Sequence, residues 1–139
     1  MRVKILLADD HKIMRDTLRA LLEKQDGMDV VAEAENERDA VLLAREHRPD
    51  VVIMDINMAD LPGTEVTRRI ISDSPEVKVI GLSMYSDRQF LVRMLKTGAT
   101  GYLLKDCAFE ELVRAVQIVV TNQAYLGSGI EKSAGPEFS

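Results

Sequence analysis

Three aspartates, a serine and a lysine stand at like places in this chain, each at the end of a short apolar run. Asp9 and Asp10 follow "VKILLA" (3–8), Asp55 follows "VVIM" (51–54), Ser83 closes "VKVIGLS" (77–83) and Lys105 closes "GYLLK" (101–105). Gathered in one place, three carboxylates would repel one another and raise each other's pKa unless a cation compensated them. A donor set of oxygens, with no cysteine and no well-placed histidine, suits a hard ion. Magnesium fits best because it keeps several waters and bridges carboxylate to phosphate. Lys105 would aim a second positive charge at the same spot. Metal, ammonium and hydroxyl together suit a transferred phosphoryl group, whose charge spreads over three oxygens. One of the carboxylates is then a candidate nucleophile.

Whether these groups meet depends on the elements that carry them. With "DVVAEA" (29–34) the apolar runs number five and read as strands. Three are almost continuously apolar, as strands covered on both faces must be, whereas "VVAEA" alternates and suits a sheet edge. Amphipathic helical patterns lie between them. Met14, Leu18, Leu21 and Leu22 mark the first; Ala40, Leu43, Ala44 and His47 mark the second, with Asn36 as its cap and Pro49 beyond its end. Val66 and Ile70 mark the third, Leu91, Met94 and Leu95 the fourth, which Gly98 stops. Phe109, Leu112, Val113, Val116, Val119 and Val120 mark the fifth. Alternating strands and helices predict right-handed crossovers and a parallel sheet with helices on both faces. Such a sheet binds its ligand at the carboxyl ends of its strands, where the five polar residues fall. One polar residue at a strand end would say little, since loops are polar and Asp9 or Asp10 could simply cap the next helix. Five on a single edge are the argument for a site.

The bulk properties narrow the function. A chain of 139 residues is one domain with room for a full core. Its formal charge of -5 leaves no basic footprint, so direct binding of nucleic acid by this chain is not expected. Cys107 is the single cysteine, and no signal peptide or membrane-length apolar run occurs, which predicts a cytoplasmic protein with no membrane association. No G-x-x-x-x-G-K-[ST] loop is present, which removes a P-loop nucleotide hydrolase. No G-x-G-x-x-G follows the first strand, and "ADDHKIM" in its place would repel a pyrophosphate. A phosphatase of the haloacid-dehalogenase type resembles D-x-D, but the residue two beyond Asp55 is Asn57. An amide cannot act as a general acid.

The motifs "LLADDH" (6–11), "VVIMDINM" (51–58), "GTEVTRRI" (63–70), "GLSMYSD" (81–87) and "GATGYLLKD" (98–106) stand in an order and spacing that resemble the receiver domain of bacterial two-component response regulators. The closer resemblance is to the NarL/FixJ type, with a LuxR-type output. It covers about residues 1–122. It implies a flavodoxin-like (βα)5 doubly wound fold with a five-stranded parallel sheet of order 2-1-3-4-5. It implies that Asp55 accepts a phosphoryl group from a sensor histidine kinase, that Asp10 and Asp55 ligate Mg2+ directly, that Asn57 adds its backbone carbonyl, and that Asp9 helps through water. Lys105 would pair with the phosphoryl oxygens and Ser83 would donate a hydrogen bond to one of them. Tyr102 matches the aromatic switch position that turns inward when that hydroxyl moves. The surface implied to respond is helix four, strand five and helix five, controlling homodimerisation and, in a longer parent protein, a C-terminal helix-turn-helix domain that binds DNA. The chain would be a phosphoacceptor and not an enzyme with an external product, although assisting its own phosphorylation and dephosphorylation. Residues 123–139, rich in Gly and Ser, read as a linker or an appended tail.

One departure lies in the loop after Asp55. Many receivers have Met-Pro there; here Met58 precedes Ala59 and the proline comes later, as Pro62, while Gly63 keeps its place. Of the remaining residues, His11 is expected to pack or face solvent rather than bind metal, because magnesium prefers oxygen. Cys107 lies near enough to Lys105 for a lowered pKa, yet a lone cysteine at a helix start is ordinarily just small and semi-apolar. Arg68 and Arg69 suit a solvated face. Asp60 either extends the acidic pocket or stabilises a turn.

Overall fold

The computed structural model describes residues 2–58, 62–84 and 88–127. The elements run β1 (Val3–Ala8), α1 (Lys12–Glu23), β2 (Met28–Ala34), α2 (Glu37–His47), β3 (Val51–Asp55), α3 (Gly63–Asp73), β4 (Lys78–Ser83), α4 (Arg88–Lys96), β5 (Gly101–Leu104), α5 (Lys105–Val119) and β6 (Tyr125–Leu126). The sheet order is β2-β1-β3-β4-β5-β6, with every pair parallel. The expected doubly wound α/β fold and the order 2-1-3-4-5 are therefore present.

The apolar strands are continuous because both their faces are covered. Leu6, Ala8, Val52 and Met54 pack with α2, α3 and α4 in one core layer. Ile5, Leu7, Val51 and Ile53 pack with α1 and α5 in the other. Each fully buried Val, Leu, Ile or Met side chain contributes about 1.5–3 kcal/mol, so the two layers fix the strand register. With a period of two, Asp55 follows Val51 and Ile53 toward the α1 and α5 side. A carboxylate is thus set in line with core residues.

Local signals end the helices where expected. Asn36 Oδ1 accepts the Asp39 backbone N–H at 2.9 Å, capping α2. That helix stops at Arg48, in the left-handed conformation (φ 46°) ahead of Pro49. Gly98, at φ +105°, closes the turn after α4, a conformation that costs a glycine little.

Several expectations need correction. A sixth strand lies within the segment read as linker: the Tyr125 N–H donates to Thr100 O at 3.0 Å and the Gly127 N–H to Tyr102 O at 2.9 Å. Tyr125 and Leu126 pack half-buried on the two core layers, which is why so short a strand forms. His47 is exposed, and Val41 fills the buried line of α2 with Ala40 and Ala44, because the helix ends at His47 beyond the core. Phe109 is 44% exposed. It borders the open crevice at the strand ends with His11, Met14, Asp55 and Lys105, rather than lying over the sheet. Met14 and Leu21 are only half-buried, and Arg15 lies on the buried face of α1 with Leu18 and Leu22.

Gly63, the first residue of α3, permits the close return of the chain after β3. An added Cβ would stand 2.7 Å from Ile56 Cβ and 2.8 Å from Ile56 Cα. Backbone cannot yield as a flexible side chain does. Gly63→Ala is expected to lower the unfolding free energy by about 1–3 kcal/mol, as overpacking does, which denaturant titration against wild type would measure.

Candidate functional site

β1 has β2 on one side and β3 on the other, so the crevice of this sheet opens between the ends of β1 and β3. The residues there are Asp9, Asp10 and Asp55.

Each carboxylate is held by its local chain. The Asp9 N–H donates to Ala34 O at 3.1 Å, continuing the β1–β2 ladder one residue past the strand. Its Oδ1 accepts the His11 N–H at 2.8 Å, the bond that turns the chain into α1. Asp55 repeats the device, with Oδ1 accepting the Asn57 N–H at 2.8 Å. The other oxygen of Asp55, Oδ2, accepts from Lys105 Nζ at 2.8 Å. The Asp55 side chain is 1% exposed. Burial pushes its carboxyl above the usual range, against the opposing pull of Lys105 and the Asn57 N–H. Burial alone would favour neutral Lys105, but its bond to Asp55 and the charges of Asp55 and Asp9 hold the ammonium above the ordinary lysine value.

The charge balance is incomplete. Among the described residues, Asp9 Oδ2 is buried with no hydrogen-bond partner, and the ammonium it faces, Lys105 Nζ, is 3.5 Å away. One lysine therefore serves two buried acids, with Asp10 beside them. Asp9, Asp10, His11 and Asp55 each present a ligand atom, all within 4.8 Å of one another. An orphaned carboxylate oxygen in such a group is what a bound cation would satisfy, so the residues present fit a metal.

The other predicted residues take less uniform positions. Ser83 is fully buried at the end of β4, one residue past Leu82, the partner of Asp55 in the ladder. Asn57 is exposed, and its Oδ1 accepts the Met84 N–H at 3.3 Å, joining the loops after β3 and β4. Tyr102 is fully buried on the α2, α3 and α4 side, so its ring is inward. His11 faces solvent as expected, being 69% exposed, yet its Nδ1 also lies 3.1 Å from Asp9 Oδ1 and 3.0 Å from Asp10 Oδ1. The thiol of Cys107 is raised, not lowered, by desolvation and then by Glu111, Glu110 and Asp106. Asp60, Ala59 and Tyr85 lie outside the described residues.

Sequence reasoning missed Arg15. Its guanidinium is buried, and Nη1 donates to the backbone carbonyl of Asp9 at 2.6 Å. The signal was legible: Arg15, Leu18 and Leu22 repeat at i, i+3 and i+7, the spacing of a buried face.

Residues 5–117 match the response regulator receiver domain family. The chain is 39% identical to the transcriptional regulatory protein DegU of Brevibacillus brevis over 125 residues, 90% of this chain and 53% of that protein. It thus spans about half of that relative's length. Among solved structures, a two-component response regulator of the LuxR family from Aurantimonas sp. SI85-9A1 superposes with a TM-score of 0.93 at 31% identity, covering 99% of both chains. The signal receiver domain of NarL from Mycobacterium tuberculosis superposes with a TM-score of 0.83 at 29% identity, covering 88% of this chain and 98% of that one.

Proposed function

The chain belongs to the receiver domain family of two-component response regulators, in its NarL/FixJ branch, and from that premise we propose that Asp55 is its phosphoacceptor. The observation that carries this is the buried Asp55 carboxylate, bonded to Lys105 at 2.8 Å beside the orphaned oxygen of Asp9. A histidine kinase would deliver the group: an Asp55 oxygen attacks phosphorus, the O–P bond forms, and the P–N bond to the kinase's imidazole breaks. The imidazole leaves with its electron pair and takes a proton. Asp10 and Asp55 would hold Mg2+ directly, with the Asn57 backbone carbonyl, and Asp9 would act through water. When bound, the ion would neutralise the acids and the phosphoryl oxygens. Lys105 balances the added charge, and the Ser83 hydroxyl donates to a phosphoryl oxygen.

The same reading treats the group as the input of a switch. Ser83 closes β4 and Tyr102 lies on β5, so movement of either would be felt by α4, β5 and α5. That face would control homodimerisation, and a DNA-binding domain in a longer cytoplasmic protein would regulate transcription. The likeness to DegU, a transcriptional regulatory protein of which this chain spans half, supports this. Among the described residues no helix is long and apolar enough to cross a membrane. The absence of an acid at position 57 weighs against turnover of external phosphate esters.

Incubation with a small phosphodonor such as acetyl phosphate is expected to add one phosphoryl group per chain with Mg2+ present and none with a chelator, read by intact-mass spectrometry. Sustained hydrolysis of an external ester would instead assign a phosphatase. No adduct under either condition would leave an interaction module.

A further inference from the structure

We propose that Arg15 is a positioning residue for the acidic pocket: it fixes the peptide between Asp9 and Asp10, and so the separation of the carboxylates meant to share a cation. The inference rests on the phosphoacceptor reading above.

The guanidinium of Arg15 is only 7% exposed, although it sits in the first turn of a surface helix. Three of its nitrogens meet three acceptors. Nη1 donates to Asp9 O at 2.6 Å, Nε to Glu33 Oε1 at 3.3 Å and Nη2 to Glu35 Oε1 at 3.3 Å. Glu33 is in turn held by Arg19 Nη1 at 2.5 Å. A planar fork anchored at several points cannot rotate, unlike a lysine ammonium. Residue 9 is thus gripped on both sides, its N–H by Ala34 O and its C=O by Arg15. The carbonyl of Asp9 shares a peptide plane with the nitrogen of Asp10. Holding that carbonyl therefore sets where Asp10 leaves the strand. The His11 N–H holds Asp9 Oδ1, which leaves Oδ2 toward Lys105. Together these bonds orient both acids before any ion arrives.

The simpler alternative is that Arg15 only neutralises Glu33 and Glu35. The two roles predict opposite signs for cation binding. Removing a positive charge close to the acids should tighten Mg2+ by Coulomb attraction, whereas removing a positioning group should weaken it. Groups that orient metal ligands typically change affinity about 10–100-fold when removed.

The test is calorimetric titration of Mg2+ into wild type, Arg15→Met and Arg15→Lys, with circular dichroism and thermal melting of each ion-free protein. Positioning predicts Mg2+ binding about tenfold weaker in Arg15→Met and about threefold weaker in Arg15→Lys. Equal or tighter binding in a folded Arg15→Met overturns it. If Arg15→Met does not fold, Arg15→Lys decides, because it keeps the charge and loses the fork: unchanged affinity overturns the proposal and weakened affinity supports it. If wild type binds no Mg2+ and forms no adduct, the phosphoacceptor reading falls and this inference with it. If wild type does both and the variants match it, only the inference falls.

Discussion

Asp55→Asn is expected to abolish the phosphoryl adduct and, in the absence of Mg2+, to make the fold more stable at neutral pH. The first result follows from chemistry, since an amide has no nucleophilic oxyanion; intact mass after incubation with phosphodonor and Mg2+ should show no addition. The second follows from burial. The folded-state pKa of Asp55 is raised above its ordinary 3.8, first by desolvation. A raised carboxyl pKa means that the fold favours the neutral form. The stability associated with that form is fully present below pH 3.8 and is lost as pH rises through the folded-state value. At pH 7 the wild type therefore carries the cost of a buried charge that the amide variant would not. Lys105 keeps Asp9 as a charge partner at 3.5 Å, so the substitution does not strand it. The expected gain narrows as pH falls and the wild-type carboxyl takes up its proton. Paired denaturant titrations at several pH values would measure it, because groups common to both proteins cancel in the difference. A variant less stable than wild type at pH 7 would mean that the Lys105 bond outweighs desolvation.

Lys105→Met should have the opposite effect on stability and a severe effect on chemistry. The ammonium is the cation bonded to Asp55 at 2.8 Å and facing Asp9 at 3.5 Å. Its loss leaves two buried carboxylates without it. Breaking a buried pair in this way costs about 3–5 kcal/mol when burial is complete; with the lysine side chain 10% exposed, about 2–3 kcal/mol is expected at pH 7. The variant should recover toward wild type in acid, as its carboxylates protonate. In wild type, the raised pKa of Lys105 means that its contribution is complete below the ordinary 10.5 and disappears as pH rises through the folded value. For the reaction, removing a group aimed at developing phosphoryl charge should slow adduct formation about 100-fold. Mg2+ should meanwhile bind more tightly, because a competing positive charge is gone. Slow phosphorylation with undiminished Mg2+ binding, measured by intact-mass time courses and calorimetry, would separate this role from metal ligation.

The sequence by itself determined the elements and the chemistry of the site. Strands covered on both faces leave no polar alternation, so "VKILLA" and "VVIM" could be read as buried strands, and a charge directly after each one stood out. The crossover rule then placed Asp9, Asp10, Asp55, Ser83 and Lys105 on one edge without coordinates. Tertiary structure decided what depends on distance between elements. Asp9 Oδ2 is left without a hydrogen-bond partner among the described residues, with only a 3.5 Å ion pair to Lys105, because that ammonium is taken closer by Asp55, a competition that no spacing encodes. Arg15 is buried because the carbonyl of Asp9, Glu33 of β2 and Glu35 just beyond that strand meet it there, although its place in the helical stripe already hinted at burial. The sixth strand falls in a stretch that reads as linker, because two residues are too short for a periodic signal; only the open edge of β5 makes them a strand. Phe109 fits the helical pattern and still emerges into solvent, since periodicity gives the face of a helix but not how far the sheet beneath it extends.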